Sequence, residues 1–268
     1  MQQSRNIRVP SGPEPLLERP LSARSVMASL LLGRRSPEAG VADLVRWCGL
    51  FGIAEGTARV ALHRMAAKGE IVSYDGRYRL AGRLVGRQDR QESSLRPHVA
   101  RWHGDWRVAV VVATRRDAPT RAALRDSMRR LHFAERREGV WMRPDNLDVE
   151  LAADVRRQCE WLTARPDDDA IALAARLFHP GRWARRAEAL RGRLGETTDR
   201  LAGDEPEPLA DAFVAGAATL HHIGSDPLLP AELLPADWPG AALRAEYARY
   251  QRAFDATARA WFRAGPSG

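Results

Sequence analysis

Lysine is almost absent from this chain: of 42 basic residues only Lys68 is a lysine, and the rest are arginines. Cysteine is scarce as well. Cys48 and Cys159 are the only two in 268 residues, too few and too far apart for a disulfide scaffold. They fit a reducing compartment, and a cytoplasmic location is expected. No run reaches eighteen consecutive apolar residues, so no transmembrane helix and no membrane partner are expected. The N-terminus lacks the basic-then-apolar pattern of a signal peptide, because Pro10, Pro13, Pro15 and Pro20 interrupt it. There is no Gly-rich phosphate loop, no nucleophile elbow and no Cys/His metal spacing. The expectation is therefore a protein without cofactor or metal, and not an enzyme.

What is present is arginine, unevenly placed. The net charge is +8. Residues 1–100 carry 16 basic and 9 acidic side chains, residues 101–200 carry 21 and 16, and residues 201–268 carry 5 and 9. A positive front and an acidic back suit a chain whose N-terminal half meets a polyanion. Apolar residues make up 44%, enough for two or three cores.

The pattern along the chain gives an α+β architecture. Residues 1–20 read as a disordered tail rich in Pro, Ser and Gln. Ser22 is a candidate N-cap for a helix ending at Gly33, and Val41, Leu44, Val45 and Cys48 mark a second helix. Gly49-Leu50-Phe51-Gly52 is a tight connection to a third helix, Glu55 to Lys68. Its inward face is Ala58, Ala61, Leu62 and Met65. Two strands, Ile71–Tyr74 and Tyr78–Leu80, flank the hairpin dipeptide Asp75-Gly76. This order is that of a winged helix-turn-helix over residues 21–82.

Residues 83–100 read as a linker or connecting helix. Over 101–168 the expectation is a ferredoxin-like α/β domain of three strands and two helices. The strands are Val108–Ala113, packed on both faces, Gly139–Met142 and Glu160–Ala164. The helices run from Pro119-Thr120 through Leu131 and over 147–158. Residues 169–268 read as a C-terminal helical domain, with helices at Ala170–Phe178, Trp183–Leu194, Leu209–His222 and Ala241–Phe262. Between the last two, Asp226–Gly240 holds four prolines in fifteen residues and must be irregular.

A winged helix reads DNA with the outward face of its third helix and with its wing. Here that face offers Arg59, Val60 and His63, flanked by Thr57 and Arg64. Arg59 can donate bidentately to guanine, His63 can meet a base or a phosphate, and Thr57 and Arg64 suit phosphates. On the wing, Arg77 suits the DNA backbone or the minor groove, and Tyr74 and Tyr78 either touch the backbone or pack the hairpin.

These segments carry a resemblance. The chain resembles the PaaX-like family, the phenylacetic-acid degradation repressors. The likeness rests on Phe51-Gly52-Ile53 with Thr57-Ala58-Arg59-Val60-Ala61-Leu62-His63-Arg64-Met65. It rests also on Gly104-Asp105-Trp106-Arg107, and on Leu131-His132-Phe133 with Gly139-Val140-Trp141-Met142. The longest piece is the Pro-rich stretch Asp226 to Gly240, with Trp238 at its end. The resemblance implies a homodimeric repressor of a catabolic operon that binds double-stranded DNA at an inverted repeat and is released by an acyl-CoA thioester. The chain departs from the family at Ala54-Glu55-Gly56, where a Ser-type cap is usual. A family-like ligand-binding protein without specific DNA binding is the alternative that this departure raises.

Other constellations carry less. A metal-dependent nuclease of ferredoxin-like fold would need a carboxylate at the end of the first central strand, but none occurs before Asp117. His221 and His222 are adjacent and diverge on a helix, so one packed and one solvated histidine is expected. Asp167-Asp168-Asp169 reads as a cap for the helix from Ala170. Arg182, Trp183, Arg185, Arg186, Arg136 and Arg137 could serve an acyl-CoA, but surface arginines are the simpler reading, and the effector site is left unassigned.

Overall fold

A computed structural model of the chain describes residues 21–33, 38–203 and 208–265. The expected tail lies outside the described residues. The described residues open with a reciprocal cap: the Ser22 hydroxyl accepts from the Ser25 amide at 3.2 Å, and the Ser25 hydroxyl accepts from the Ser22 amide at 2.8 Å. Helix α1, Ala23–Gly33, follows. Val26, Met27, Leu30, Leu31 and Leu32 are all buried, so this helix is wrapped on nearly every side.

A short strand that the sequence reading missed comes next: β1, Glu38–Gly40. Three residues without alternation give no periodic signal. Helix α2 spans Val41–Gly49 and α3 spans Glu55–Ala67. The hairpin strands are β2, Ile71–Tyr74, and β3, Arg77–Leu80. Asp75 (φ 48°) and Gly76 (φ 69°) make the turn with two positive φ angles. The sheet order β1-β3-β2 is antiparallel throughout. Helix, strand, two helices and a hairpin on a three-stranded sheet are consistent with a winged helix-turn-helix.

Of the two readings of residues 83–100, linker or connecting helix, the structure has the helix: α4, Arg83–Leu95. The central unit then runs β4 (Trp106–Val111), α5 (Ala118–Arg130), β5 (Ala134–Arg137), β6 (Val140–Pro144), α6 (Ala153–Gln158) and β7 (Cys159–Ala164). Strand β5 was not expected, because Ala134-Glu135-Arg136-Arg137 has no apolar alternation and lies at the sheet edge. The helix expected over 147–158 is confined to α6. The four strands are ordered β5-β6-β4-β7 and all pair antiparallel.

Both faces of this sheet are covered. Ala109, Trp141 and Cys159 pack under Leu124 and Met128 of α5 and Val155 of α6. On the other face Trp106 and Met142 pack on Leu173 and Ala174 of α7 (Ala170–Phe178), together with Leu229 and Leu233.

The C-terminal helices are α8 (Pro180–Leu201), α9 (Pro208–Ile223) and α10 (Gly240–Arg263). The Pro-rich stretch between α9 and α10 is ordered, with a single 3-10 turn at Ala231–Leu233. Three anchors hold it. Buried Asp226 ion-pairs with Arg244 at 2.9 Å. The Leu228 carbonyl accepts from Asn146 Nδ2 at 2.9 Å, and Asn146 Oδ1 in turn accepts from buried Arg143 at 2.8 Å. Trp238 stacks on Trp183 at 4.5 Å. His222 stacks on the other face of Trp183 at 4.5 Å, and the Trp183 indole N–H donates to the His222 carbonyl. His222 is thus the packed member of the histidine pair and His221 the exposed one.

The front and back of the chain share a core. Trp47 of α2 lies among Phe213 of α9 and Phe254, Trp261 and Phe262 of α10. Beside this aromatic set, α1, α4, α9, α10 and the end of α5 surround a cavity of about 1100 Å³.

Candidate nucleic-acid interface

Helix α3 is fastened by its apolar stripe. Ala58, Leu62 and Met65 are buried and Ala61 is half-buried, so the opposite face is turned outward. Thr57, Arg59, Val60, His63 and Arg64 are all exposed on it. Val60 is the one large apolar residue there, 50% exposed.

The helix start is bare. Ala54 stands at the N-cap with φ −61° and ψ 145°, and no side chain caps the helix. A side chain built on Gly56 would meet nothing within 4 Å, so the first turn is open to solvent. Glu55 occupies the first turn and holds Arg59: the guanidinium Nε donates to its Oε1 at 2.7 Å. Both side chains are more than half exposed, so the pair contributes about 0.3–0.5 kcal/mol and is easily exchanged for another partner.

On the wing, strand alternation sorts the residues. Val72, Tyr74, Arg77 and Arg79 fall on one face and Ser73, Tyr78 and Leu80 on the other. Tyr74 is 65% exposed, with the Arg79 guanidinium 5.3 Å from its ring. Arg77 is exposed but tethered. Its Nη2 donates to the Glu38 carbonyl at 3.3 Å, and its Nε stands 3.8 Å from a Glu38 carboxylate oxygen. Tyr78 is half-buried and packs against the N-terminal core. It belongs to the inner face, away from Tyr74. Arg79, absent from the sequence-derived set, shares the outer face with Arg77. Period-two alternation counted back from buried Leu80 would have exchanged Tyr78 for Arg79.

The front is further tied down by Glu70, just after α3. Its carboxylate is 2% exposed and accepts two bonds from Arg24 of α1, at 2.7 and 2.9 Å, and one from Arg83 of α4. The bonds from Arg24, then those from Arg83, hold its pKa down at about 2 against the desolvation that opposes them.

The carboxylate nearest the end of β4, Asp117, is engaged as a cap. It accepts from the Thr120 amide at 2.8 Å at the start of α5. Among the described residues no group of three or more His, Cys, Asp or Glu side chains is placed to hold a metal. Among them, too, no helix is long and apolar enough to cross a membrane.

Comparison with known proteins bears on both ends of the chain. Residues 22–84 match a family described as PaaX-like protein, and residues 182–264 match the PaaX-like protein C-terminal domain. A solved structure of an uncharacterised protein from Mycobacterium tuberculosis, Rv0674, is 43% identical over 89% of this chain and 98% of its own, with a TM-score of 0.69. The chain belongs to the PaaX-like family. A search of curated proteins found no match. Within the PaaX-like frame, the N-terminal match covers α1 to the start of α4 and so contains the whole candidate interface. The C-terminal match covers α8 to α10, including the Pro-rich Asp226–Gly240 stretch. Membership makes transcriptional regulation the functional class.

Proposed function

We propose that this PaaX-like chain is a sequence-specific DNA-binding repressor of a catabolic operon, acting as a homodimer on an inverted-repeat operator and released by an acyl-CoA thioester. The observation that carries this reading is the free outer face of α3. Nothing in the fold needs Arg59, Val60, His63 or Arg64 for packing, and all four stand out from a helix rooted by Ala58, Leu62 and Met65. In this reading Arg59 and His63 enter the major groove, and Thr57, Arg64 and the open first turn of α3 meet phosphates. Tyr74 and Arg77, with Arg79 beside them, follow the backbone from the wing, and Tyr78 contributes by bracing the hairpin. Two copies place their α3 helices about 34 Å apart, one helical turn of duplex. The central unit is read as ferredoxin-like from its βαββαβ order and its antiparallel ladder.

Footprinting on the region upstream of the chain's own gene, repeated with a panel of acyl-CoA thioesters, tests the reading. A protected inverted repeat that is lost with one thioester is the expected result. Arg59→Ala costs about 1–3 kcal/mol of operator binding and relaxes specificity. Equal binding of operator and random duplex by parent and variant overturns the proposal, as does full operator affinity from a monomer.

The ion pair between Glu55 and Arg59 favours a second reading, a ligand-binding protein without specific DNA binding. Titration of the chain's own promoter at two salt concentrations separates the two. A specific complex keeps its preference over random duplex at the higher salt, and a purely electrostatic one does not.

A further inference from the structure

We propose that the cavity between the front and back of the chain binds an amphipathic organic anion. Its apolar body would lie among Leu30, Phe213, Tyr247 and Phe254, and its charged group would meet Arg87 and Arg90. This rests on the effector reading above and gives that effector a place.

Every part of the fold supplies a wall. Leu30 and Leu32 come from α1, Arg87, Arg90 and Ser94 from α4, and Leu131 and His132 from the end of α5. Helices α9 and α10 close the rest. A volume of about 1100 Å³ is at the upper limit of ligand pockets, generous for an aromatic acid and suited to something larger. Phe213, Tyr247, Tyr250, Phe254 and Phe262 give the interior an aromatic lining. The Tyr250 hydroxyl donates to the Ala212 carbonyl at 2.8 Å.

The cations are the second observation. Arg87 and Arg90 lie three residues apart on α4 and so share a face. Neither makes a hydrogen bond or an ion pair with any described residue. Arg24, whose charge also acts on Arg87, is spent on Glu70. Burial, then the like charges of Arg24 and Arg90, pull the Arg87 pKa below its ordinary value. Two neighbouring guanidiniums that bond to no described carboxylate, beside an apolar hollow, are how a carboxylate or phosphate is received. The wall also carries Asp148, Glu150 and Asp255, which favour a ligand with its anionic group confined to the α4 side.

The cavity touches the part that would have to move. Phe213, Phe254 and Phe262 line it and also hold Trp47, at ring distances of 5.8, 6.1 and 5.6 Å. Trp47 lies in α2, and the turn Leu50–Ala54 leads from α2 into α3. A ligand that packs differently against two positions of these rings therefore biases the position of α3.

The test is a titration of the full chain, without DNA, with 8-anilinonaphthalene-1-sulfonate, an aromatic anion that brightens on apolar burial. One saturable site per chain is expected. Arg87→Ala with Arg90→Ala weakens it by about tenfold or more, since both charge-assisted contacts are lost. Ala217→Trp, which fills the cavity from α9, does the same, and Ile171→Ser, at an exposed position of α7 away from the cavity, leaves it unchanged. Unaltered binding in the double arginine variant overturns the site, whatever the folding of the tryptophan variant. Displacement of the dye by phenylacetate assigns a free carboxylate, and displacement only by phenylacetyl-CoA assigns a nucleotide thioester. Hydrogen exchange on the saturated chain shows altered protection in α1 and α2, and unchanged exchange there overturns the coupling. A chain that passes these tests but ignores DNA refutes the repressor reading alone.

Discussion

Trp47 of α2 stacks on Phe262 of α10, with ring centroids 5.6 Å apart and 21° between the planes. The N-terminal unit is thereby joined to the last helix of the chain through an indole that is fully buried. Arg46, next to it, places its guanidinium 3.7 Å from the centre of the Trp261 ring. The front of the molecule thus has no core of its own that excludes α9 and α10.

It follows that Trp47→Ala destabilises more than the N-terminal unit. A large cavity at this junction costs about 3–5 kcal/mol. Urea denaturation followed by circular dichroism checks the loss. A single transition shifted as a whole supports the shared core, whereas early melting of the front alone contradicts it.

Glu70 gives the front a pH dependence. Its folded pKa, about 2, lies below its ordinary value of 4.5. The stabilisation is therefore fully present above the ordinary value and is lost as pH falls through the interval down to about 2. Glu70→Gln removes about 2 kcal/mol at neutral pH, a figure reduced by the solvent exposure of Arg83. The parent and the variant should converge in stability as pH approaches 2. Denaturation midpoints at pH 7, 4 and 3 make the comparison, and a constant gap across that range contradicts the assignment.

Gly216 has a single steric reason to be glycine. A Cβ there would collide with the hydroxyl oxygen and the ring edge of Tyr250. Gly216→Ala therefore displaces Tyr250 and breaks its bond to the Ala212 carbonyl, for a loss of about 1–3 kcal/mol despite the better helix propensity of alanine. The ring atoms Cε1 and Cζ would clash as well, so Tyr250→Phe leaves the loss in place, whereas Tyr250→Leu in the Gly216→Ala background should recover part of it. Thermal melts of the single and double variants measure it.

Strong periodicity was legible in the sequence. The stripe Ala58, Ala61, Leu62 and Met65 placed α3 and its outer face, and Asp75-Gly76 placed the hairpin. Short or polar edge strands were not legible. Glu38-Ala39-Gly40 and Ala134-Glu135-Arg136-Arg137 become strands because a neighbour offers them a ladder, a tertiary fact with no local pattern. The Pro-rich stretch could be recognised by likeness but not understood. Its order depends on Asp226 meeting Arg244 and on Trp238 meeting Trp183, contacts between separate elements. The cavity was hidden for the same reason, since its arginines sit on α4, in residues that read equally as a linker or a connecting helix. Spacing of Arg87, Arg90 and Ser94 at one helical face was the available signal.

The sharpest test of the interface is at Glu55, because there stability and binding should part. Its carboxylate neutralises Arg59 at 2.7 Å in the free chain. On DNA the same carboxylate would stand in the first turn of α3, near the phosphates, where negative charge is repelled. Glu55→Ala frees the guanidinium and removes the repulsion, and it costs no more than about 0.5 kcal/mol of stability because the pair is exposed. Duplex affinity should rise several-fold, with a steeper dependence on salt as one more cation becomes available to release counterions. Arg59→Ala in the Glu55→Ala background should then cancel the gain. Gel-shift titrations at 50 and 200 mM salt on the parent and the three variants complete the cycle. Unchanged affinity in Glu55→Ala would place α3 away from the duplex.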